Sequence, residues 1–160
     1  MLATQIPSRT GLPDGSSHRP QTLAELLERL GHVPPSRIRL DPAPGTATEG
    51  DLLRLGEEMP ICELVDGVLV EKAMGYFESV LAAVLIGFLR DFLKQHDLGI
   101  VAAPDGKTRL LPGLVRAPDV SFVSWNRLPG RKLPRQRIPD LYPDLAVEIL
   151  SESNTPQEMG

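Results

Sequence analysis

Between residues 76 and 95, apolar side chains recur every third or fourth position. Phe77, Val80, Leu81, Val84, Leu85, Phe88, Leu89 and Phe92 fall on one stripe of a helix, with Glu78, Arg90, Asp91 and Lys94 off it. The spacing predicts one long helix whose apolar face must be buried. Just before it, residues 61–65 and 68–72 are strand-like runs separated by Asp66-Gly67, a pair that favours a two-residue hairpin turn. A shorter helix is predicted after Thr22, with Glu25 three residues on as in a capping box and Leu23, Leu26, Leu27 and Leu30 as its stripe. Thr48 is placed to cap a further turn through Asp51, Leu52 and Leu55. Beyond Gly99 the period changes to two. Residues 100–103 and 107–111 flank Pro104-Asp105-Gly106, which predicts a second hairpin, and residues 118–124 and 144–150 predict two more strands. Hairpin, helix and then strands predict an α+β fold with a mostly antiparallel meander.

Punctuation divides the chain. Residues 1–20 hold Pro7, Gly11, Pro13, Gly15 and Pro20 among Ser and Thr and are expected to form a disordered leader. Residues 21–59 are expected to carry the short helix and an extended connector, and a compact domain is expected over 60–160. With 41% hydrophobic and 24% charged residues, collagen-like and wholly disordered chains are excluded. Lys and Arg number 17 against 21 Asp and Glu, so any contact with a polyanion must be local. The 14 Gly and 16 Pro predict short elements joined by many loops. A single cysteine, Cys62, excludes an internal disulfide, and with three histidines it makes a poor zinc set. No basic segment leads into an apolar core at the start, and the apolar stretch over 80–89 is too short to span a bilayer. A cytoplasmic, reduced protein is expected, with no membrane partner.

Two acids stand out. Glu148 lies in a run where Leu145, Val147 and Ile149 alternate with Ala146 and Leu150, and a carboxylate in such a strand needs a pairing charge, hydrogen bonds or a metal. A terminal Glu that reaches water or an Arg is the plain alternative. Asp119 follows Pro118 at the start of a strand and shares a face with Ser121. Taken alone, it reads as a strand-capping aspartate. Two carboxylates on adjacent strands would suit a hard divalent cation, since Mg2+ takes oxygen ligands and keeps several waters. Between these strands, Arg127, Arg131, Lys132, Arg135 and Arg137 put five cations on one loop, either solvated or placed for DNA-backbone contact. Trp125 beside them could stack a base or pack on the core.

The ordered set of residues 62–71 (CELVDGVLVE), the long helix, 116–123 (RAPDVSFV) and 144–151 (DLAVEILS) resembles the Uma-two family, restriction-endonuclease-like proteins of the PD-(D/E)xK superfamily. The resemblance covers about residues 48–159. It implies an α/β nuclease core, Mg2+ or Mn2+ as cofactor, DNA as partner, and Asp119 and Glu148 as metal ligands. It also points to Glu63 in the hairpin and Glu78 early in the helix as catalytic helpers; a solvent-facing hairpin residue and a first-turn glutamate favoured by the helix dipole are the plain readings.

Two departures change the expectation. Side chains repeat every second residue along a strand, so the superfamily's lysine position is Leu150 here. Relatives place a lysine on a later helix, and the chain is expected to lack that helix and its following strands. The expected function is therefore a metal-dependent restriction-type endonuclease, weak or inactive for want of the lysine. A non-catalytic DNA-binding or interaction module and a gene fragment are the alternatives, and a homodimer is considered as a partner.

Overall fold

The computed structural model describes residues 2–4, 20–55, 61–73 and 75–151. In chain order these form β1 (Leu2–Thr4), α1 (Leu23–Arg29), α2 (Glu49–Leu55), β2 (Cys62–Val65), β3 (Val68–Glu71), α3 (Tyr76–Gln95), β4 (Gly99–Ala102), β5 (Thr108–Leu111), β6 (Leu114–Arg116), β7 (Val120–Ser124) and β8 (Leu145–Glu148). The strands make two antiparallel four-stranded sheets, ordered β1-β8-β7-β4 and β3-β2-β6-β5. The fold is α+β, consistent with a restriction-endonuclease-like core.

Local chemistry explains most element ends. Asp66 and Gly67 both take positive φ, 49° and 75°, as the tight hairpin turn requires. A side chain at Gly67 would also collide with Gly45, whose amide bonds the Gly67 carbonyl at 2.8 Å. Thr22 Oγ accepts from the Glu25 amide at 3.2 Å, and the Glu25 carboxylate accepts from the amide of Gln21, one residue before the cap, rather than from Thr22 itself. At α2 the box is reciprocal: Thr48 Oγ accepts from the Asp51 amide and the Asp51 carboxylate from the Thr48 amide. The connector lies against the hairpin edge, where Ile38 bridges Val70 and the Arg39 amide bonds the Leu69 carbonyl.

Both faces of the β3-β2-β6-β5 sheet are covered. Leu26, Leu30 and Val33 pack on Val65, Val68 and Val70, while Ala47 and Leu52 pack on Cys62, Leu64, Leu69 and Val115 from the opposite side. Two-sided cover is why β2 and β3 read as nearly unbroken apolar runs. On the other sheet, Ala82, Leu85, Ile86 and Leu89 of α3 pack on Val120, Val147 and Ile149.

Three expectations are corrected. Residues 100–103 and 107–111 do not form a hairpin: β4 pairs with β7, and β5 crosses to the other sheet to pair with β6. The second hairpin is β5–β6, turned through Pro112 and Gly113, with Gly113 at φ 78° in the Pro-Gly arrangement of a type II turn. Residues 2–4, placed in the disordered leader, pair with β8 as β1, because an extended segment can satisfy the open hydrogen-bonding groups of a sheet edge. Residues 1, 5–19 and 152–160 lie outside the described residues, as does the predicted boundary at 56–60.

The third correction concerns α3. The helix has the predicted bounds, but Phe77, Val84, Phe88 and Phe92 are exposed, Phe88 by 71%. Only the Ala82–Leu85–Ile86–Leu89 side meets the sheet, and among the described residues no element covers the rest. An apolar groove of about 410 Å³ runs there, lined by Leu81, Val84, Leu85, Phe88, Ile149 and Leu150. Phe88→Ser is expected to change unfolding free energy by less than ~0.5 kcal/mol, as for an open surface site, whereas Leu89→Ala, at a half-buried position against the sheet, should cost about 1–3 kcal/mol. Denaturant titration checks this; a Phe88→Ser loss as large as the Leu89→Ala loss would show that the face is covered.

Candidate active site

Ladder register brings the acids together. On β7 and β8, Val120 is opposite Val147 and Ser121 opposite Ala146. One step further in the same register sets Asp119 opposite Glu148, where directly opposed side chains share a face and nearly touch. Like charges so placed repel, and the arrangement needs a cation. It has one: Lys72 Nζ lies 2.9 Å from Asp119 Oδ1 and 2.8 Å from Glu148 Oε2.

Lys72 follows the last residue of β3, and its amide continues the hairpin ladder to the Ile61 carbonyl. Its side chain is 7% exposed and also donates to the Ala117 carbonyl at 2.5 Å. Burial would drive the ammonium to lose its proton. The charges of Glu148, Glu63 and Asp119 outweigh that and hold its pKa above the usual lysine value. Burial pushes Glu148 up to about 7 while the Lys72 ammonium pulls it down and the charges of Glu63 and Asp119 add to the push. Glu148 keeps 45% of its side chain exposed, so this acid faces solvent while Asp119 does not.

Asp119 is fixed from both ends. Its Oδ2 accepts from the Ile149 amide at 2.6 Å, tying the start of β7 to the end of β8. Its Oδ1 is buried and has no aligned hydrogen bond, only the ion-pair contact to Lys72. A buried carboxylate oxygen of this kind is suited to a cation. Among the described residues no group of three or more His, Cys, Asp and Glu is arranged to hold a metal ion. Two carboxylates nevertheless fit Mg2+, which completes its octahedron with water.

Glu63 owes its place to a second register step. Leu64 is opposite Val115 on β6, so Glu63 comes opposite Arg116. Glu63 Oε2 accepts from Arg116 Nη1 at 2.7 Å and Oε1 from the Ala117 amide at 2.8 Å. Burial raises its pKa, but Arg116 and the Ala117 amide overcome this and hold it below the ordinary 4.5. Glu63 thereby grips the segment that leads from β6 to Asp119. Glu78 is elsewhere: it is the third residue of α3, its carboxylate folds back over the capping Gly75, and among the described residues it makes no ion pair or hydrogen bond with the acids or Lys72.

In the basic loop, Arg127 Nε pairs with Asp144 Oδ1 at 2.6 Å, and Arg131 pairs with Asp97 while lying 4.5 Å from the Trp125 ring centre. Trp125 donates to Asp97 at 2.7 Å, so one ring face and the indole N–H are already engaged. Lys132, Arg135 and Arg137 are exposed, and Lys132 and Arg135 have no ion pair among the described residues.

A profile of the Uma2 (Uma-two) family, described as "Putative restriction endonuclease", matches residues 50–160. The chain belongs to the Uma2 family. A search of curated proteins found no match to it. The matched region contains both sheets' central strands, α3 and every residue of the Lys72–Asp119–Glu148 cluster. The family description supports a nuclease at the level of the family, such a family implies DNA as substrate, and divalent metals are typical of restriction-endonuclease-like families. No described helix is long and apolar enough to cross a membrane. Lys72 is the residue that sequence reasoning missed. Leu150 offers no ammonium, but the Uma2 chain brings one from a different sheet. The available signal was its position two residues past the buried Val70, in step with an apolar strand.

Proposed function

We propose that this Uma2 protein is a metal-dependent, restriction-type endonuclease that hydrolyses DNA phosphodiester bonds, with Mg2+ or Mn2+ held by Asp119 and Glu148. The observation that supports it is the opposition of these two acids around a single cation. Bound there, a divalent ion would polarise the phosphodiester and lower the pKa of an attacking water. Asp119, locked by the Ile149 amide, supplies the rigid ligand, and Glu148 supplies the ligand on the solvent side. Glu63 is a positioning residue that holds the Ala117 amide and hence the approach to Asp119. Lys72 supports an active site, because it supplies beside the two acids an ammonium that Leu150 does not.

Cleavage of plasmid and linear DNA with Mg2+, Mn2+ or chelator tests the reading. Metal-dependent cleavage lost in Asp119→Asn and Glu148→Gln is the expected result. DNA retention without cleavage, indifferent to chelator, would instead support a non-catalytic binding module. For the DNA backbone, the exposed Lys132 and Arg135 are the first contacts proposed, with Arg127, Arg131 and Arg137 as further members of the same loop. Lys132→Gln with Arg135→Gln is expected to lower the slope of log affinity against log salt by about 1–2 and leave Tm unchanged. An unaltered slope would assign the loop to solvent.

A further inference from the structure

Lys72 does more than lie near the acids. Three oxygens surround its ammonium: the Ala117 carbonyl at 2.5 Å, Glu148 Oε2 at 2.8 Å and Asp119 Oδ1 at 2.9 Å. The first two are aligned hydrogen bonds and the third is an ion-pair contact only. An ammonium so surrounded has little donor capacity left for a water or a phosphate. It occupies the place between the carboxylates that a divalent ion would need, and a divalent charge and an ammonium a few ångströms apart in a poorly hydrated site repel strongly.

We infer that Lys72 is the resident counter-cation of this site, and that a divalent ion binds Asp119 and Glu148 by taking these oxygens over from its ammonium. The inference rests on the proposed metal site and adds a role for a residue of this chain. In the metal-free protein, Lys72 keeps two opposed carboxylates from repelling each other, so the site is assembled before metal arrives. The same contact sets a threshold, because metal must displace an existing ion pair. Once displaced, the ammonium keeps the Ala117 carbonyl as an anchor and regains N–H groups that can face a bound phosphate. A purely structural lysine would stabilise the fold without competing with metal.

The two roles differ in a measurable sign. Calorimetric titration of the full chain with Mn2+ at one fixed pH, for wild type, Lys72→Met and Asp119→Asn, reads metal affinity directly. Lys72→Met is expected to bind Mn2+ about tenfold or more tightly than wild type, because removing a neighbouring positive charge removes its repulsion. Its metal-free Tm should fall, and Mn2+ should raise its Tm by more than it raises that of wild type. Asp119→Asn should lose the binding. Should Lys72→Met fail to fold, wild type still answers. The 15N resonance of the buried Lys72 ammonium should shift or vanish into solvent exchange when Mg2+ saturates the site.

Unchanged or weaker Mn2+ affinity in a folded Lys72→Met overturns the inference, as does a Lys72 resonance indifferent to saturating Mg2+. If wild type binds Mn2+ through Asp119 yet either of those results is found, the metal site stands and only the counter-cation role falls. If neither protein binds Mn2+, both fall together.

Discussion

Asp119→Asn is expected to reduce DNA cleavage by about a hundredfold or more while leaving the fold intact, because it removes one charge from the metal-binding pair. The substitution is chosen for what it preserves. An amide oxygen can still accept from the Ile149 amide, the 2.6 Å bond that ties β7 to β8. It also removes the ion-pair contact to Lys72 and sets an amide NH2 near the ammonium, while Lys72 retains Glu148 as its partner. Tm without metal should therefore fall without loss of cooperative unfolding, and the larger loss should appear in cleavage and in metal binding. Cleavage at wild-type rate in a folded Asp119→Asn would remove Asp119 from the reaction. A wild-type chain that never cleaves but unfolds cooperatively would point to the binding module, and one that does not unfold cooperatively would point to a fragment. The contrast with Lys72→Met is informative, since the two neighbouring substitutions should move metal affinity in opposite directions.

Features set by local chemistry were legible from sequence: the Asp66-Gly67 hairpin, both Thr-led caps and the bounds of α3 follow from short-range rules that the tertiary structure does not override. The convergence of Asp119 and Glu148 was legible as an expectation because both sit in strand-like runs, although the adjacency of those strands came from family resemblance. Strand partnership was less legible. A turn at Pro104-Asp105-Gly106 is present, with the Gly106 amide bonded to the Ala103 carbonyl at 3.0 Å, yet the strands on either side join different sheets. A turn motif specifies a reversal and leaves the choice of partner to packing. Lys72 was missed for a related reason. Its chemistry depends on a contact between two sheets, across 47 positions to Asp119, that no spacing along the chain encodes. The α3 stripe shows the limit of periodicity from the other side: apolar spacing announces that a face seeks cover, and it does not name the cover.

The second large effect is on stability. Glu63→Ala is expected to lower unfolding free energy by about 2–4 kcal/mol, the range for leaving a buried donor unsatisfied while also deleting packed side-chain volume. The donor is the Ala117 amide, in a residue with no exposure at all. Arg116, with 42% of its side chain exposed, can turn to water and adds less. Glu63→Gln keeps an acceptor for that amide and should cost less, roughly 1 kcal/mol. The pH dependence separates charge from packing. The folded-state pKa of Glu63 is held below its ordinary 4.5, so its contribution is present above that value and is lost as pH falls through the lower folded-state value. Glu63→Gln should therefore flatten the acid limb of the stability curve, while a limb identical to that of wild type would mean that Arg116 does not stabilise the Glu63 charge. Because Glu63 grips the strand-to-strand passage that aims Asp119, a folded Glu63→Gln should lose less cleavage than Asp119→Asn and retain its metal affinity within a few-fold. That separation is the measurable difference between a residue that holds the site in place and one that binds the ion.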